Sequence, residues 1–190
     1  MGIADPSSNP FEHLDQVHDR LFTMMNRQKT LAEFGWAALQ SDDLDEVLGA
    51  AARLTAEGLK CKYAKVLEYD PKRRDFLVRA GYGWRDGVVG TMRVGADLES
   101  PAGYAFKLDD IVLSNDLVKE DKFRRPQILI DHGIHAAINV IIRTRTDRWG
   151  VLEADSPEPD KFDEGDAHFL HGFANLVGLA LGRATVRSMS

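Results

Sequence analysis

Apolar positions recur at alternating spacings of three and four early in the chain. They are Leu14, Val17, Leu21, Met24, Leu31 and Ala38, with Gln28 and Gly35 interrupting the series. That spacing predicts a helix over about 11–40. The stripe is narrow, of coiled-coil type, whereas a helix packed only on its own domain usually shows a wider apolar face. Pairing with another chain and packing on its own core both remain open, and the narrow stripe favours pairing. Residues 1–10 are polar, rich in Ser, Asp and Pro, and read as a disordered tip. Ser41-Asp42-Asp43 supplies capping residues and early acids, and a second helix follows through Leu44, Val47, Leu48, Ala51 and Leu54 to about Gly58.

After Gly58 the period changes to two. Tyr63 to Tyr69 reads as a strand, Asp70 to Asp75 as a hairpin-type turn, and Phe76 to Gly81 as a second strand. Five glycines (81, 83, 87, 90 and 95) then crowd a loop containing Trp84. Ser100-Pro101 starts a short helix to about Lys107, since Ser caps and Pro suits the first helical position. Ile111 to Leu113 is a short strand, 116–125 is polar and irregular, and 126–131 is a short helix ended by Gly133. Ile134 to Arg143 is the strongest strand of the chain. A polar turn over 144–148 joins it to a partner strand, Trp149 to Asp155. Pro157 and Pro159 precede a last helix over about 163–186, whose apolar face is Phe169, Leu170, Phe173, Val177, Ala180 and Leu181. Hairpins flanked by helices imply an α+β fold. A central antiparallel sheet would carry the long helices on one face, and the loops and short helices of 82–132 would cover the other. A sheet covered by irregular loops is where a ligand pocket is expected.

Strand parity refines this. Ile134, Ala136, Ile138, Val140 and Ile142 share one face and should pack on the long helices. His135, Ala137, Asn139 and Ile141 share the other. On the partner strand Gly150, Leu152 and Ala154 suit the helix side, while Trp149, Val151, Glu153 and Asp155 point the opposite way. Glu153 can then join His135 and Asn139 on a pocket floor. The alternative is that these polar side chains face water on an uncovered sheet.

Composition narrows the chemistry. The 190 residues carry 24 Lys+Arg against 30 Asp+Glu, a formal net charge of −6, which argues against a nucleic-acid partner. The densest basic cluster, Lys72-Arg73-Arg74, lies between Asp70 and Asp75 and reads as a solvated turn. No apolar run approaches the ~20 residues of a membrane span, and the N-terminus lacks a secretory pattern. One cysteine excludes a disulfide framework and suits a cytoplasmic setting. Gly81-Tyr82-Gly83 lacks the rest of a dinucleotide fingerprint. His168 and His171 could share a helix face, but no third ligand is fixed by spacing, so no metal is expected. Cys61, between Lys60 and Lys62, reads as an idle thiol.

Several stretches, in order and spacing, resemble the GAF domain, a small-molecule-sensing module of signalling proteins. They are Leu44 to Leu48 leading into Tyr63 to Leu67, Arg79 to Trp84, Gly87 to Gly90, and Val94 to Leu98 with Ser100 to Tyr104. Asp116, Phe123-Arg124, Gly133-Ile134, Trp149 to Leu152, and Phe162 with Asp166 ahead of the final helix complete the series. The resemblance covers about 28–184 and is closest to GAF domains upstream of bacterial sensor histidine kinases. It implies a domain over 41–186 that includes the C-terminal helix, with 11–40 as a signalling and dimerisation helix. It also implies a pocket on the sheet face opposite the helices. Members that hold a bilin covalently use a pocket cysteine, and no cysteine follows Cys61, so a covalent bilin is not expected. Free methionine sulfoxide reductases of this fold use loop cysteines that are missing here, so no enzymatic activity is expected.

The sequence therefore points to a sensory or regulatory module of a bacterial signal-transduction protein, of the two-component type. It would bind an unidentified small molecule and act through a homodimer formed by the N- and C-terminal helices on a histidine kinase or other effector. The competing reading is a ligand-free dimerisation module whose pocket is filled by Tyr104, Phe123 and Trp84. The expected ligand-binding residues are Tyr104, Asp116 and Phe123, carried over from the resemblance. His132, at a short helix end, and His135, Asn139 and Glu153, from strand parity, complete the set.

Overall fold

The computed structural model describes residues 10–188, with side chains over 14–184. The expected N-terminal tip lies outside the described residues, apart from Pro10. The elements run α1 (Pro10–Gln40), α2 (Leu44–Leu59), β1 (Tyr63–Asp70), β2 (Asp75–Tyr82), β3 (Arg93–Gly95), α3 (Pro101–Leu108), β4 (Val112–Ser114), α4 (Gln127–Asp131), β5 (Ala136–Arg143), β6 (Arg148–Ser156) and α5 (Glu164–Ser188). The strands form one antiparallel sheet in the order β3-β2-β1-β6-β5-β4. This is the α+β architecture read from the sequence.

Local chemistry fixes the helix ends. Asp43 caps α2 by accepting from the Asp45 and Glu46 amides at 2.9 and 3.2 Å, and Ser100 caps α3 by accepting from the Gly103 amide at 2.9 Å. Asp163 and Asp166 cap α5 reciprocally, each carboxylate accepting the other's amide, at 2.8 and 3.0 Å.

One sheet face packs on α1, α2 and α5. Ala64, Val66, Ile138, Val140, Ile142, Leu152 and Ala154 meet Leu48, Ala52, Phe34, Phe173 and Val177 there. Only the second half of α1 takes part. Phe34 stacks against Phe173 with centroids 5.0 Å apart, and Arg27 pairs with Asp166 while donating to the Gly58 carbonyl. Gly178 brings α5 against β5 so closely that a Cβ there would strike the Arg143 carbonyl. The opposite sheet face carries Tyr63, Leu67, Phe76, Val78, Ala137, Ile141 and Val151. Phe106 of α3, Ile128 and Leu129 of α4, and Val88 cover it, and Val94 of β3 extends the face at the sheet edge.

Three expectations need correction. Ile134 packs with the covered face, not with the long helices, because β5 begins only at Ala136 and the Ile134 amide turns back to the Leu129 carbonyl at 2.8 Å. Trp149 packs against the helix-side cluster, because the β5–β6 register shifts between Ile142 and Arg143 and a bulge rotates the residues beyond it. The glycine-rich stretch hid the edge strand β3, which Arg93 fastens to Asp70 and Asp75 at 2.6–2.8 Å.

Candidate ligand site under the short helices

The covered sheet face is apolar except at its centre. Lys65 of β1 stands opposite Glu153 of β6, and Glu153 stands opposite Asn139 of β5. One rung further along β6, Asp155 lies between Tyr63 and Ala137. Alternation along three adjacent strands therefore aims four polar side chains at one patch. All four are buried: Lys65 is 1% exposed, Glu153 3%, Asn139 0% and Asp155 0%.

The Lys65 ammonium sits between the two carboxylates, 2.8 Å from Glu153 Oε1 and 2.7 Å from Asp155 Oδ2. Burial pushes the lysine pKa down, but the attraction of Asp155 and Glu153 outweighs it and leaves it above its ordinary value. Burial, together with repulsion from Glu153, drives the Asp155 carboxyl well above the usual carboxylate range despite Lys65. With Asp155 protonated, Lys65 and Glu153 balance.

Aromatic rings close the patch from above. The Lys65 Nζ lies 4.5 Å from the centre of the Trp84 ring, a cation–π contact. Gly83, at φ 81°, turns the chain so that Trp84 folds back, and its indole N–H donates to the Ala64 carbonyl at 2.8 Å. Tyr63 and His132 complete the stack, with centroids 4.8 Å from Trp84 in each case. His132 Nδ1 lies 2.8 Å from the Ile128 carbonyl. A carbonyl only accepts, so Nδ1 carries the hydrogen and the buried Nε2, which has no partner, is an acceptor when the ring is neutral.

The space left between floor and cover is small. It amounts to about 10 Å³ beside Lys65, Glu153, Val94, Ser100, Ile128 and Leu129, room for roughly one water. The roomier clefts lie on the helical side and the rim. One of about 510 Å³ runs between Ser41, Asp42 and Arg183, where the α1–α2 turn meets α5. Another, of about 520 Å³, is bordered by Asp109, Arg143 and His171. Among the described residues, neither contains a buried polar group left without a partner.

Of the seven residues expected at the site, the structure brings His132, Asn139 and Glu153 to this patch. Tyr104 and Phe123 stack on each other at 5.4 Å in a separate cluster with Ala105 and Val112, and Lys122 caps the Tyr104 ring at 3.9 Å. Asp116 faces outward and pairs with Lys119 at 2.7 Å, a contact that lowers its pKa. His135 is half-buried just before β5, where its amide donates to the Ser156 carbonyl and its carbonyl accepts from the Leu117 amide. Lys65, Asp155 and Tyr63 were not among the expected residues, and Trp84 was expected only as a ring filling the pocket in the ligand-free reading. The parity that selected Glu153 also selects Asp155, and the alternation Tyr63-Ala64-Lys65 carries the same signal on β1. Cys61 packs on the helix-side cluster, and burial, with a smaller push from Asp155, drives its thiol up to about 12.

The GAF domain family model matches residues 43–181. No curated protein sequence matches. Among solved structures, the GAF domain of a phosphoenolpyruvate-protein phosphotransferase from Coxiella burnetii aligns with a TM-score of 0.77 at 17% identity, covering 87% of this chain and 98% of that one. The corresponding domain from Acinetobacter gives 0.72 at 18%, covering 86% and 98%. The free methionine-R-sulfoxide reductase of Neisseria meningitidis, in complex with its substrate, gives 0.72 at 17%, covering 85% and 91%. At these identities the likeness is one of fold. The family match extends from the cap of α2 to the buried part of α5 and spans every strand of the sheet, so the chain belongs to the GAF domain family.

Proposed function

We propose that this chain is a sensory or regulatory module that binds a small molecule between the sheet floor and the α3–α4 cover. Occupancy would pass through α1 and α5 to a second copy and to an effector such as a histidine kinase, in the cytoplasm and without catalysis. One observation carries the reading: Asn139 is completely buried, yet neither its amide nitrogen nor its carbonyl oxygen has a partner. A buried polar group without a partner costs about 1–3 kcal/mol. A ligand that supplies those partners would repay that cost only while bound. The small volume at the site means that α3, α4 and Trp84 must move to admit it. The ligand then acts by its difference in affinity between the closed and opened arrangements. The helix-side placement of Cys61 and its raised pKa favour a binding role over thiol chemistry.

A second reading is favoured by the same closure. With only about 10 Å³ free, the domain could serve as a ligand-free dimerisation module. Native mass spectrometry of the protein isolated from its own host separates the two. A dimer that carries an additional small-molecule mass, released on unfolding, is the expected result. Dimers with no additional mass under any growth condition would establish the ligand-free reading.

A further inference from the structure

Granted the sensory reading, we propose that the ligand presents to Asn139 an uncharged group with a hydrogen-bond donor beside an acceptor, a carboxamide being the simplest. Lys65, Glu153 and Asp155 are all buried, and the lysine ammonium lies 2.8 and 2.7 Å from the two carboxyl groups. Burial and repulsion from Glu153 raise the Asp155 pKa, which favours its uncharged form beside the single Lys65–Glu153 ion pair. The one cation of this floor is already held by two carboxyl groups, so a charged ligand group brought beside it would stay unpaired in a poorly solvated place.

The hydrogen-bond inventory then selects the chemistry. Nζ of Lys65 is engaged on both carboxylates and on the face of Trp84. The groups still open are Asn139 Nδ2, Asn139 Oδ1, Asp155 Oδ1 and His132 Nε2. Asn139 alone offers a donor and an acceptor side by side, and it stands directly across from Glu153, which borders the free space. A partner amide satisfies both atoms in one cyclic pair. Val94, Ile128 and Leu129 line the free space that Glu153 borders, and apolar walls with a few polar groups are the usual composition of a small-molecule site.

The test uses three fragments of one shape: benzamide, benzoate and benzylammonium. Each is titrated to millimolar concentration while the Asn139 side-chain NH2 signals are followed in 1H–15N spectra of the full chain. Benzamide is expected to shift those signals and to bind at least ten-fold more tightly than either charged fragment. Asn139→Leu is expected to fold, to melt no lower than the wild type, and to weaken benzamide binding at least ten-fold. Asn139→Asp, which keeps the shape but introduces a charge, should turn the preference towards benzylammonium. Tighter binding of benzoate or benzylammonium to the wild type overturns the proposed chemistry and leaves the site standing. Failure of all three to bind overturns both the chemistry and the site. Unchanged benzamide binding in Asn139→Leu, or a Leu variant that melts well below the wild type, overturns the role given to Asn139.

Discussion

Lys65 on β1 and Glu153 on β6 are direct cross-strand partners, and the ammonium meets the carboxylate at 2.8 Å where neither side chain reaches water. Removing one partner of such a pair is worse than never having had it, because the other charge stays behind without solvent. Lys65→Met strips the cation from two buried carboxyl groups while keeping the bulk. It should lower unfolding stability by about 3–5 kcal/mol. Adding Glu153→Leu to Lys65→Met should recover part of that loss. Urea denaturation of the two singles and the double gives the coupling, and a Lys65→Met protein as stable as the wild type would sink this account.

Asp155 gives a pH prediction of defined sign. Its pKa is raised in the fold, so the folded chain holds a proton that the unfolded chain releases near pH 4. The stability this provides is complete below about pH 4 and drains away as pH climbs towards the folded value. The raised Lys65 pKa adds a second loss only above about 10.5. Asp155→Asn is neutral at every pH and should remove the first loss. The melting-temperature difference, variant minus wild type, should grow between pH 5 and 9. A difference independent of pH would mean that Asp155 is already ionised in the fold.

How far the sequence disclosed the fold and the site follows from which signals are local. Periods of 3.6 and 2 depend only on neighbours along the chain, and they located the long helices and the β1–β2 and β5–β6 hairpins. Parity along β5 and β6 placed Asn139 and Glu153 on the covered face, since each strand stays regular through those positions. It failed for Trp149, where a register shift intervenes. It failed for Ile134, which precedes the strand. The Lys65 ion pairs bridge 88 and 90 positions of sequence, from 65 to 153 and to 155, and no local pattern announces such a partner. Tyr104, Asp116 and Phe123 sit in the cover, where loop geometry rather than alternation decides direction. The structure pairs a half-buried Asp116 with Lys119 and puts the two rings in their own cluster.

Two glycines of α5 should respond in opposite ways to the same change. At Gly178 an added Cβ would run into the Arg143 backbone carbonyl, which no side-chain rotation can relieve, whereas at Gly182 it would meet nothing within 4 Å. Gly178→Ala should cost about 1–3 kcal/mol through overpacking. Gly182→Ala should gain up to about 1 kcal/mol from helix propensity. Thermal melts of both variants check this, and a neutral or stabilising Gly178→Ala would show that α5 can withdraw from β5.

Cys61 should be nearly silent as a thiol while the protein is folded. Its pKa rises from 9.0 to about 12, first through burial and then through the nearby Asp155 carboxylate. Three pKa units leave about a thousandth of the ordinary thiolate fraction near pH 8, and the thiolate is the reacting form. Ellman's reagent should therefore label the folded chain on the timescale of its opening and the urea-unfolded chain at once. Prompt labelling of the folded chain would contradict the buried setting.

The first half of α1 leaves its apolar stripe uncovered. Leu14 is 63% exposed, Leu21 55% and Met24 59%, while on α5 Leu179 is 64% exposed. Further along the same helix, Phe34 and Ala38 are buried against the domain. The helix therefore changes from a core element to a free amphipathic one near Arg27, which ties it to Gly58 and Asp166. A narrow stripe at heptad-like spacing buries well against a copy of itself, so a parallel or antiparallel pair of α1 helices is the expected partner arrangement. Leu21→Glu with Met24→Lys places charges in that seam and touches no buried residue of the domain. The wild type should sediment as a dimer at micromolar concentration, and the double variant as a monomer with an unchanged melting profile of the domain. A monomeric wild type would refute the pairing. A double variant that remains dimeric would move the interface away from α1.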